Sequence, residues 1–340
     1  MLLILRALKK LASIFFVLLF ISCANEYRPN IYSHTGNALG TSFKILYSAN
    51  KPLKNIDYLT DSIFVEINQS MSTYIKNSDI SKINRGMDSV IVDYHFKKVF
   101  NKSKDIWKTT DGFFDPTIGL LVKAYGLGPE NIQQSSVNVD SLMNLTGFEK
   151  VSLKNNLVFK ENINIFLDFN AIAKGYCVDL ISKMLKKNDI NNHLVEIGGE
   201  MVASGINEVK NSPWIVGIVD PLNIKSNNFI ESIELRNKAL ASSGNYRKYL
   251  IDKESGKKIV HTINPKNGNA YSTKVLGTSV VAQDCITADA YATAFMAMPI
   301  EKSKKLIPFL KDIDVMIVYY DKNSDVKLYR TEGFEKLTLN

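Results

Sequence analysis

Short strand patterns alternate with amphipathic helical patterns along most of this 340-residue chain, and that order restricts the fold more than any other feature. Apolar residues recur at three- and four-residue steps, the spacing of one helix face, in Ile56–Met71, Phe96–Trp107 and Tyr176–Leu185. Two further helices are expected at Thr287–Met298 and, after Pro299, at about Ile300–Leu310. Short apolar runs predict strands at Thr41–Tyr47, Ile163–Phe169, His193–Ile197, Trp214–Val219, Ile230–Leu235, Ile259–Ile263 and Val315–Tyr320. Turns rather than regular crossovers join these strands, so the sequence predicts an α+β fold with largely antiparallel sheets.

The N-terminal segment 1–22 has the layout of a secretory signal peptide. Three basic residues precede the almost unbroken apolar run Leu11–Ile21, which is too short for a membrane span of roughly 20 residues. The run ends in Phe20-Ile21-Ser22-Cys23, which resembles a bacterial lipobox with Cys23 as the lipidated first residue of the mature protein. We therefore expect a lipid-anchored protein on the periplasmic side of a bacterial membrane.

The segment after Cys23 is polar and has no hydrophobic period. This predicts a lipidated tether over residues 23–38, followed by one folded body over residues 39–340. No other linker and no internal repeat is evident. The mature chain of 340 − 22 = 318 residues suits one large domain or two closely packed lobes.

Charge and cysteine content restrict the partners. The chain has 42 basic and 34 acidic residues, and loss of the three basic signal residues leaves 39 − 34 = +5. No long basic run remains, so nucleic acid is not expected as a partner, whereas an anionic small ligand or a lipid surface suits this modest excess. Cys177 and Cys285 lie in apolar helical patterns, where buried free thiols are commoner than a disulfide.

A first candidate segment for chemistry is Asp111–Thr117, which contains Phe113-Phe114-Asp115-Pro116. One interpretation is a turn in which Asp115 caps a helix that starts at Pro116. The other is a binding loop, in which a planar anionic ligand stacks on Phe113 or Phe114 beside an open helix N-terminus.

A second candidate is the segment from Asp168 to Tyr176, where an apolar strand, a small-residue turn and a helix follow one another. This layout leaves backbone N–H and C=O groups directed into a cleft, and Lys174 would add a point charge for phosphate. The alternative is a helix capped by Asn170 with Lys174 simply exposed. A third candidate, Glu196-Ile197-Gly198-Gly199-Glu200, contains a glycine pair that suits either ligand approach to the backbone or a tight turn.

The fourth candidate combines the turn after His261 with a helix that contains Asp289 and Thr293. Asn264-Pro265 and the following Asn-Gly pair predict a turn, which places His261 at the end of a strand. Asp289 and Thr293 are four residues apart on an apolar helix, so they share a face and suit a hard cation such as Mg²⁺. The alternative is that Asp289 caps the first turn while Thr293 bonds back to a helical carbonyl.

Taken in order, these segments resemble the ApbE family, the bacterial FAD:protein FMN transferases, over nearly the whole mature chain. The resemblance is carried by Leu39-Gly40-Thr41, Met71-Ser72-Thr73-Tyr74, Ser78–Asn84, Phe114–Thr117, Ala171–Gly175, Gly198–Glu200, Ser243–Tyr246, His261–Gly268 and Ala288-Asp289. The lipobox is also common in this family. Asn245 and Asn264 depart from the family pattern, in which an acid is frequent at both positions.

The resemblance implies two related T-fold-like α/β halves with FAD bound between them. It implies FAD contacts at Leu39, Tyr74, Phe113, Phe114, Asp115, Asp168, Lys174 and Ile263. It implies Mg²⁺ held by the main-chain carbonyl of Ala171 and the side chains of Asp289 and Thr293. His261 matches a residue proposed in the family as the catalytic base.

The activity implied by the resemblance is Mg²⁺-dependent transfer of the FMN moiety of FAD to a Thr or Ser hydroxyl, with release of AMP. The acceptor would be a flavin-carrying subunit of a membrane redox complex. Two alternatives stay open, an FAD pyrophosphatase that gives FMN and AMP, and a non-catalytic FAD-binding lipoprotein. Asp289, Thr293 and His261 favour catalysis, since aromatic contacts alone would serve storage.

Overall fold

The computed structural model of the protein describes residues 29–128, 137–223, 228–245, 249–251, 256–271 and 273–339. Cys23 and the predicted signal peptide lie outside these residues, as does the first part of the predicted tether. Within the described part of the chain, no helix is long and apolar enough to cross a membrane.

Strands and helices alternate along the described chain much as the hydrophobic pattern predicts. The strands are β1 Asn30–Ala38, β2 Thr41–Ala49, β3 Val151–Lys154, β4 Leu157–Lys160, β5 His193–Ile197, β6 Glu200–Ser204, β7 Trp214–Val219, β8 Phe229–Leu235, β9 Lys238–Gly244, β10 Tyr249–Ile251, β11 Lys258–Val260, β12 Val275–Ala282, β13 Asp314–Tyr320 and β14 Val326–Arg330. The helices are α1 Ile56–Met71, α2 Asp79–Asn84, α3 Tyr94–Thr109, α4 Gly119–Ala124, α5 Val139–Met143, α6 Ala173–Lys187, α7 Cys285–Ala297, α8 Ile300–Leu306 and α9 Glu332–Glu335.

One eight-stranded sheet organises the molecule, in the order β1-β2-β5-β6-β9-β12-β13-β14, and every neighbouring pair is antiparallel. Successive residues of a strand point to opposite faces. Ala241 therefore packs in the main core with helices α1, α3, α6 and α7, whereas Leu240 packs against the β7–β8 hairpin on the other face. The predicted α+β fold with antiparallel sheets is confirmed, and its division into two related halves stays a prediction.

The sheet has two ends that matter for function. At the site end, β1 turns into β2 at Leu39-Gly40, β5 turns into β6 at Gly198-Gly199, and β9 finishes at Gly244. Leu39 and Gly40 have φ angles of 51° and 76°, which allow the two-residue turn between antiparallel strands. At the opposite end, Asn30 pairs with Ala49.

The predicted tether is wrong from residue 30 onward, because Asn30–Ala38 is strand β1 and pairs with β2 along its whole length. This strand lies at the edge of the sheet and leaves about every second side chain exposed. Backbone pairing rather than apolar burial holds it in place, so its sequence carries almost no hydrophobic pattern.

The predicted strand at Ile163–Phe169 is also wrong, although Ile165, Leu167 and Phe169 are buried. The side chain of Asn84 takes the role of a neighbouring strand, because its Nδ2 donates to the Leu167 carbonyl and its Oδ1 accepts from the Leu167 N–H, both over 2.8 Å. An amide side chain can thus satisfy the backbone hydrogen-bonding groups of an extended segment that has no partner strand.

Other element boundaries shift by a few residues. The strand expected at Ile259–Ile263 ends at Val260, and the helix expected to reach Leu310 ends at Leu306, where a 3₁₀ turn containing Pro308 follows. Proline cannot donate the N–H that a continued helix requires. Cys177 and Cys285 are buried and free, as expected.

Candidate active site

The N-terminus of α6 and the second turn of α7 meet in the interior and form the centre of the site. The Gly175 N–H donates to Asp289 Oδ2 over 2.9 Å. Gly175 is the third residue of α6, so its N–H is among the first four N–H groups, which have no partner within a helix, and the buried carboxylate satisfies it. Ala171 precedes Ile172, which caps α6 and accepts the Tyr176 N–H, so the Ala171 carbonyl lies outside the helical hydrogen-bond pattern.

Position 175 requires glycine, because helices α6 and α7 approach closely there. A Cβ on residue 175 would overlap the Cys285 carbonyl oxygen and would lie 2.8 Å from Asp289 Cβ. No real Cβ makes such contacts, so the hydrogen bond to Asp289 depends on the missing side chain.

A lysine and a glutamate complete this centre. Lys174 Nζ lies 2.5 Å from Glu200 Oε1, and the Glu200 side chain is almost fully buried at the start of β6. Burial raises the pKa of Asp289, and the positive charge of Lys174 opposes that rise. A buried carboxylate in this state is stabilised by any cation that reaches it, because burial removes the water that would otherwise solvate its charge.

Asp289 does not cap α7, so that alternative is wrong. Asp284 caps the helix instead, with its side chain accepting the Thr287 N–H over 3.1 Å. Thr293 lies one turn beyond Asp289 and is partly exposed. Asp289 and Thr293 therefore lie along one side of α7, as their spacing predicts. The alternative role of Asn170 as a cap is also wrong, since residue 172 precedes α6 and Asn170 donates its N–H to Asp168.

Asp168 and Tyr74 form a second group. Burial raises the pKa of Asp168, whose Oδ1 accepts the Asn170 N–H over 2.8 Å. Burial also raises the pKa of the Tyr74 phenol, and the negative charge of Asp168 adds to that rise, so the two side chains are neighbours. Tyr74 nevertheless leaves 59% of its surface exposed, as a ring open to a ligand would.

The placement of Phe113 and Phe114 does not match the predicted stacking of a ligand on their rings. Both rings are buried in the main core, with 4% and 3% of their surface exposed. Both rings therefore pack in the interior and are not open to a stacking ligand.

Asp115 accepts four hydrogen bonds that hold its loop together. It does not cap a helix at Pro116, since α4 begins at Gly119. Its Oδ1 accepts from the Thr117 N–H and hydroxyl over 2.8 and 2.5 Å. Its Oδ2 accepts from the Phe148 N–H and from Trp107 Nε1, both over 3.1 Å. These bonds fix the loop that precedes α4.

The turn that follows His261 packs against the same loop. His261 comes directly after β11, and Ile263 is buried in a small core with Leu121 and Tyr125. Tyr125 donates its hydroxyl to the Gly268 carbonyl over 3.1 Å. Lys266 Nζ lies 3.8 Å from Asp111.

The structure thus gathers the predicted residues into three groups. Ala171, Lys174, Asp289 and Thr293 lie around the α6–α7 contact, Tyr74 lies beside Asp168, and the Phe113–Asp115 loop lies near the His261–Gly268 turn. Leu39 stands apart in the turn at the site end, where the Gly198 N–H donates to the Ser42 carbonyl over 3.1 Å. The sequence interpretation did not assign a role to Glu200, although an acid directly after two glycines at the start of a strand was a signal for it.

Comparison with known proteins defines the class of protein to which this fold and site belong. A flavin transferase ApbE structure from Vibrio cholerae superposes with a TM-score of 0.79 at 28% identity, covering 91% of this chain and all of that one. A Pseudomonas stutzeri flavinyl transferase ApbE structure gives a TM-score of 0.80 at 25% identity, with 92% and 98% coverage. The fold is therefore that of the flavin transferases.

Sequence comparison identifies the family. The ApbE family matches residues 39–317, and the chain therefore belongs to the ApbE family. The Vibrio cholerae FAD:protein FMN transferase is 29% identical over 309 residues, which cover 88% of this chain and 91% of that protein. The Haemophilus influenzae FAD:protein FMN transferase is 28% identical over 331 residues, with 93% and 94% coverage. The resemblance noted in the sequence and the expected enzyme class are thereby confirmed.

Proposed function

We propose that this protein transfers the FMN moiety of FAD to a Thr or Ser hydroxyl of an acceptor flavoprotein and releases AMP, in a reaction that depends on Mg²⁺. Family membership and the names of the relatives support the transferase activity. The observation that carries the metal dependence is the Gly175–Asp289 hydrogen bond, which holds the buried carboxylate at the N-terminus of α6, where the Ala171 carbonyl lies outside the helical hydrogen-bond pattern.

The donor set at this point fits a hard cation. Asp289 supplies a carboxylate, Ala171 a main-chain carbonyl and Thr293 a hydroxyl, and oxygen-only ligands favour Mg²⁺ or Mn²⁺ over Zn²⁺. Among the described residues there is no group of three His, Cys, Asp or Glu side chains arranged to hold a metal. A site with a single carboxylate would leave the remaining positions to water and substrate phosphate, as Mg²⁺ sites commonly do. Bound there, the ion would neutralise charge on the pyrophosphate of FAD.

In this proposal Lys174 binds the pyrophosphate of FAD. Its amino group lies within reach of both Glu200 and Asp289 at the start of α6. Glu200 orients the lysine, and the lysine in turn adds positive charge where the leaving group becomes more negative. Tyr74 and Asp168 would contact FAD at the other group of predicted binding residues.

His261 is proposed as the general base. The acceptor hydroxyl oxygen forms a bond to the phosphorus of the FMN half, and the bond from that phosphorus to the oxygen bridging to AMP breaks. The hydroxyl proton passes to the imidazole, and the electron pair of the broken bond leaves with AMP. Help from a general base is typically worth about 10²- to 10⁴-fold in rate.

The cellular setting is proposed from the sequence. Cys23 would carry a lipid that holds the protein on the periplasmic side of a bacterial membrane, and the acceptor would be a flavin-carrying subunit of a membrane redox complex. An unmodified Cys23 in the mass spectrum of the native protein would contradict the anchoring.

The test is intact-mass spectrometry of a candidate acceptor after incubation with the protein and FAD, with Mg²⁺ or with EDTA. A gain of one FMN on the acceptor, only with Mg²⁺, supports the proposal. Free FMN with an unmodified acceptor would instead identify a pyrophosphatase, and unchanged FAD would identify a binding protein.

A further inference from the structure

The end of the sheet opposite the candidate site is built from loops that are tied to one another. The Ser48 N–H donates to the Asn192 carbonyl, and the Ile206 N–H donates to Asn192 Oδ1, both over 2.9 Å. The Gly205 N–H donates to Asn237 Oδ1 over 2.9 Å. The segments after β2, α6 and β6 and the turn between β8 and β9 therefore share one surface.

Exposed basic side chains outnumber acidic ones on this surface, by six to three in the segments named here. Six exposed side chains, here called the basic end, lie in these segments or in the last turn of α6: Lys51, Lys54, Lys186, Lys187, Lys210 and Arg236. None of them forms an ion pair within the described part of the chain, in contrast to lysines elsewhere such as Lys82 and Lys238. The acidic residues in the same segments are Asp57, Asp189 and Glu208.

Two exposed apolar side chains accompany the basic end. Tyr58, in the first turn of α1, leaves 73% of its surface exposed, and Val209 leaves 58%. Val209 lies next to Lys210 in a loop closed by the bridge between Asn207 and Ser212. Basic residues interspersed with exposed aromatic and aliphatic side chains are typical of surfaces that bind the headgroup region of a membrane.

The N-terminal segment leaves the folded body at this same end. Asn30 pairs with Ala49, two residues before Lys51, and the Tyr32 hydroxyl donates to the Asn50 carbonyl over 3.3 Å. Seven residue steps separate Cys23 from Asn30 and span at most about 25 Å. A lipid on Cys23 would therefore keep the basic end near the bilayer.

We propose that the basic end docks on the anionic headgroups of the membrane that holds the Cys23 lipid, so that the site end faces away from the bilayer. This inference rests on the proposed anchoring at Cys23. Each Lys or Arg near an anionic surface is attracted over roughly one Debye length, about 8 Å at physiological salt. Strand β1 runs from Asn30 to the turn at Leu39, and its nine residues place the site end about 30 Å farther from the membrane. The acceptor protein must then bring its Thr or Ser hydroxyl to the site end at that distance from the bilayer.

The test uses the full lipidated protein on vesicles of phosphatidylcholine, alone or mixed with phosphatidylglycerol. A membrane-impermeant amine reagent followed by mass spectrometry reports the labelling rate of each lysine. On the anionic vesicles, Lys51, Lys54, Lys186 and Lys187 should react about fivefold more slowly than on neutral ones, and high salt should abolish the difference. Lys76 and Lys322, which lie toward the site end, should react equally on both.

A matched pair of variants separates docking from general charge. In K51Q/K54Q/K186Q/K187Q, the protection of Lys210 on anionic vesicles should disappear, while K76Q/K322Q should leave that protection intact.

Equal labelling of the basic end on both vesicle types would overturn the proposal. Protection that requires an added acceptor protein rather than anionic lipid would also overturn it, in favour of an acidic protein partner. Failure of the protein to float with neutral vesicles would overturn the anchoring and the docking together, whereas the mass-spectrometric transfer assay reports the proposed activity independently.

Discussion

The Gly175 N–H donates to Asp289 Oδ2 over 2.9 Å and thereby joins the first turn of α6 to the second turn of α7. This one bond fixes a buried carboxylate at the start of α6 and satisfies an N–H that has no partner within the helix. It depends on the absence of a side chain at position 175, since a Cβ there would overlap the Cys285 carbonyl. The metal site that we propose is therefore specified by a glycine as much as by its ligands.

Gly175→Ala should lower both activity and stability. The added methyl group forces α6 and α7 apart, and overpacking of this kind typically costs about 1–3 kcal/mol of unfolding free energy. The Asp289 contact would lengthen, so FMN transfer should fall further than stability alone explains. Urea denaturation and the transfer assay at saturating Mg²⁺ measure the two effects.

Gly277→Ala is the matched control, because a Cβ at residue 277 would meet only the Pro221 side chain and the Ser243 carbonyl at ordinary contact distances of 3.5 Å or more. It should retain transfer close to that of the unmodified protein. Equal losses in the two variants would mean that the close approach at Gly175 has no special role.

Asp115→Ala should act mainly on stability. The substitution removes the acceptor of four hydrogen bonds and leaves the buried N–H groups of Thr117 and Phe148 unsatisfied. We expect a loss of about 2–4 kcal/mol in unfolding free energy. Asp111→Asn is the control, because Asp111 is 79% exposed and lies 3.8 Å from Lys266, and asparagine also tolerates its positive φ of 50°, so the loss should be within about 0.5 kcal/mol. A stable Asp115→Ala protein with lost FAD binding would contradict the structural role.

Protonation of the buried His193 should lower the stability of the protein in acid. Its ring is buried, with Nδ1 3.0 Å from the Ile190 carbonyl and Nε2 2.8 Å from the Ser182 hydroxyl, and burial lowers its pKa to about 4. The unfolded chain binds a proton near pH 6.5, whereas the folded chain does so only near pH 4. Stability is therefore complete above pH 6.5 and falls between pH 6.5 and pH 4, by about 3 kcal/mol at most.

The measurement is the urea midpoint across that pH range, compared with the variant His193→Gln. The variant should be less stable at neutral pH but should lose less stability on acidification. The same acid dependence in both proteins would show that another group is responsible.

The sequence was sufficient for the parts of the fold that rest on apolar periodicity. Helices α1, α3 and α6 each bury one face in the core, so the spacing of their apolar residues marked them clearly. Helix α7 is buried almost all round and was marked by a nearly continuous run of apolar and small residues. Strand β1 was missed because its position at the edge of the sheet leaves it polar. The segment 163–169 was misread because its alternating buried residues pair with the Asn84 side chain, which no local pattern can indicate.

The candidate site was predictable to a similar degree. The i, i+4 spacing of Asp289 and Thr293 predicted a shared helix face, and α7 provides it. The bond between Asp289 and Gly175 was not predictable, because it joins residues 114 positions apart through tertiary packing. For the same reason, the burial of Phe113 and Phe114 could not be told from exposure to a ligand, since both demand aromatic residues.

Asp289→Asn should separate metal binding from packing. The amide oxygen can still accept the Gly175 N–H, while the negative charge is lost. Because burial raises the pKa of Asp289, we expect stability in EDTA to be retained or increased. Activation by Mg²⁺ should fall by about 100-fold or more, since metal stabilisation of developing charge is worth several kcal/mol. Turnover as a function of Mg²⁺ concentration measures this, and full activity of the variant in EDTA would exclude the proposed site.

The molar ratio of AMP released to FMN attached to the acceptor tests the proposed reaction most directly. With FAD, Mg²⁺ and an acceptor that carries a Thr in a flexible loop, the unmodified protein should give a ratio of one, with no free FMN. His261→Ala should lower both quantities together by about 10²-fold or more, because the base acts on the acceptor hydroxyl. Release of AMP with free FMN and an unlabelled acceptor would contradict the account.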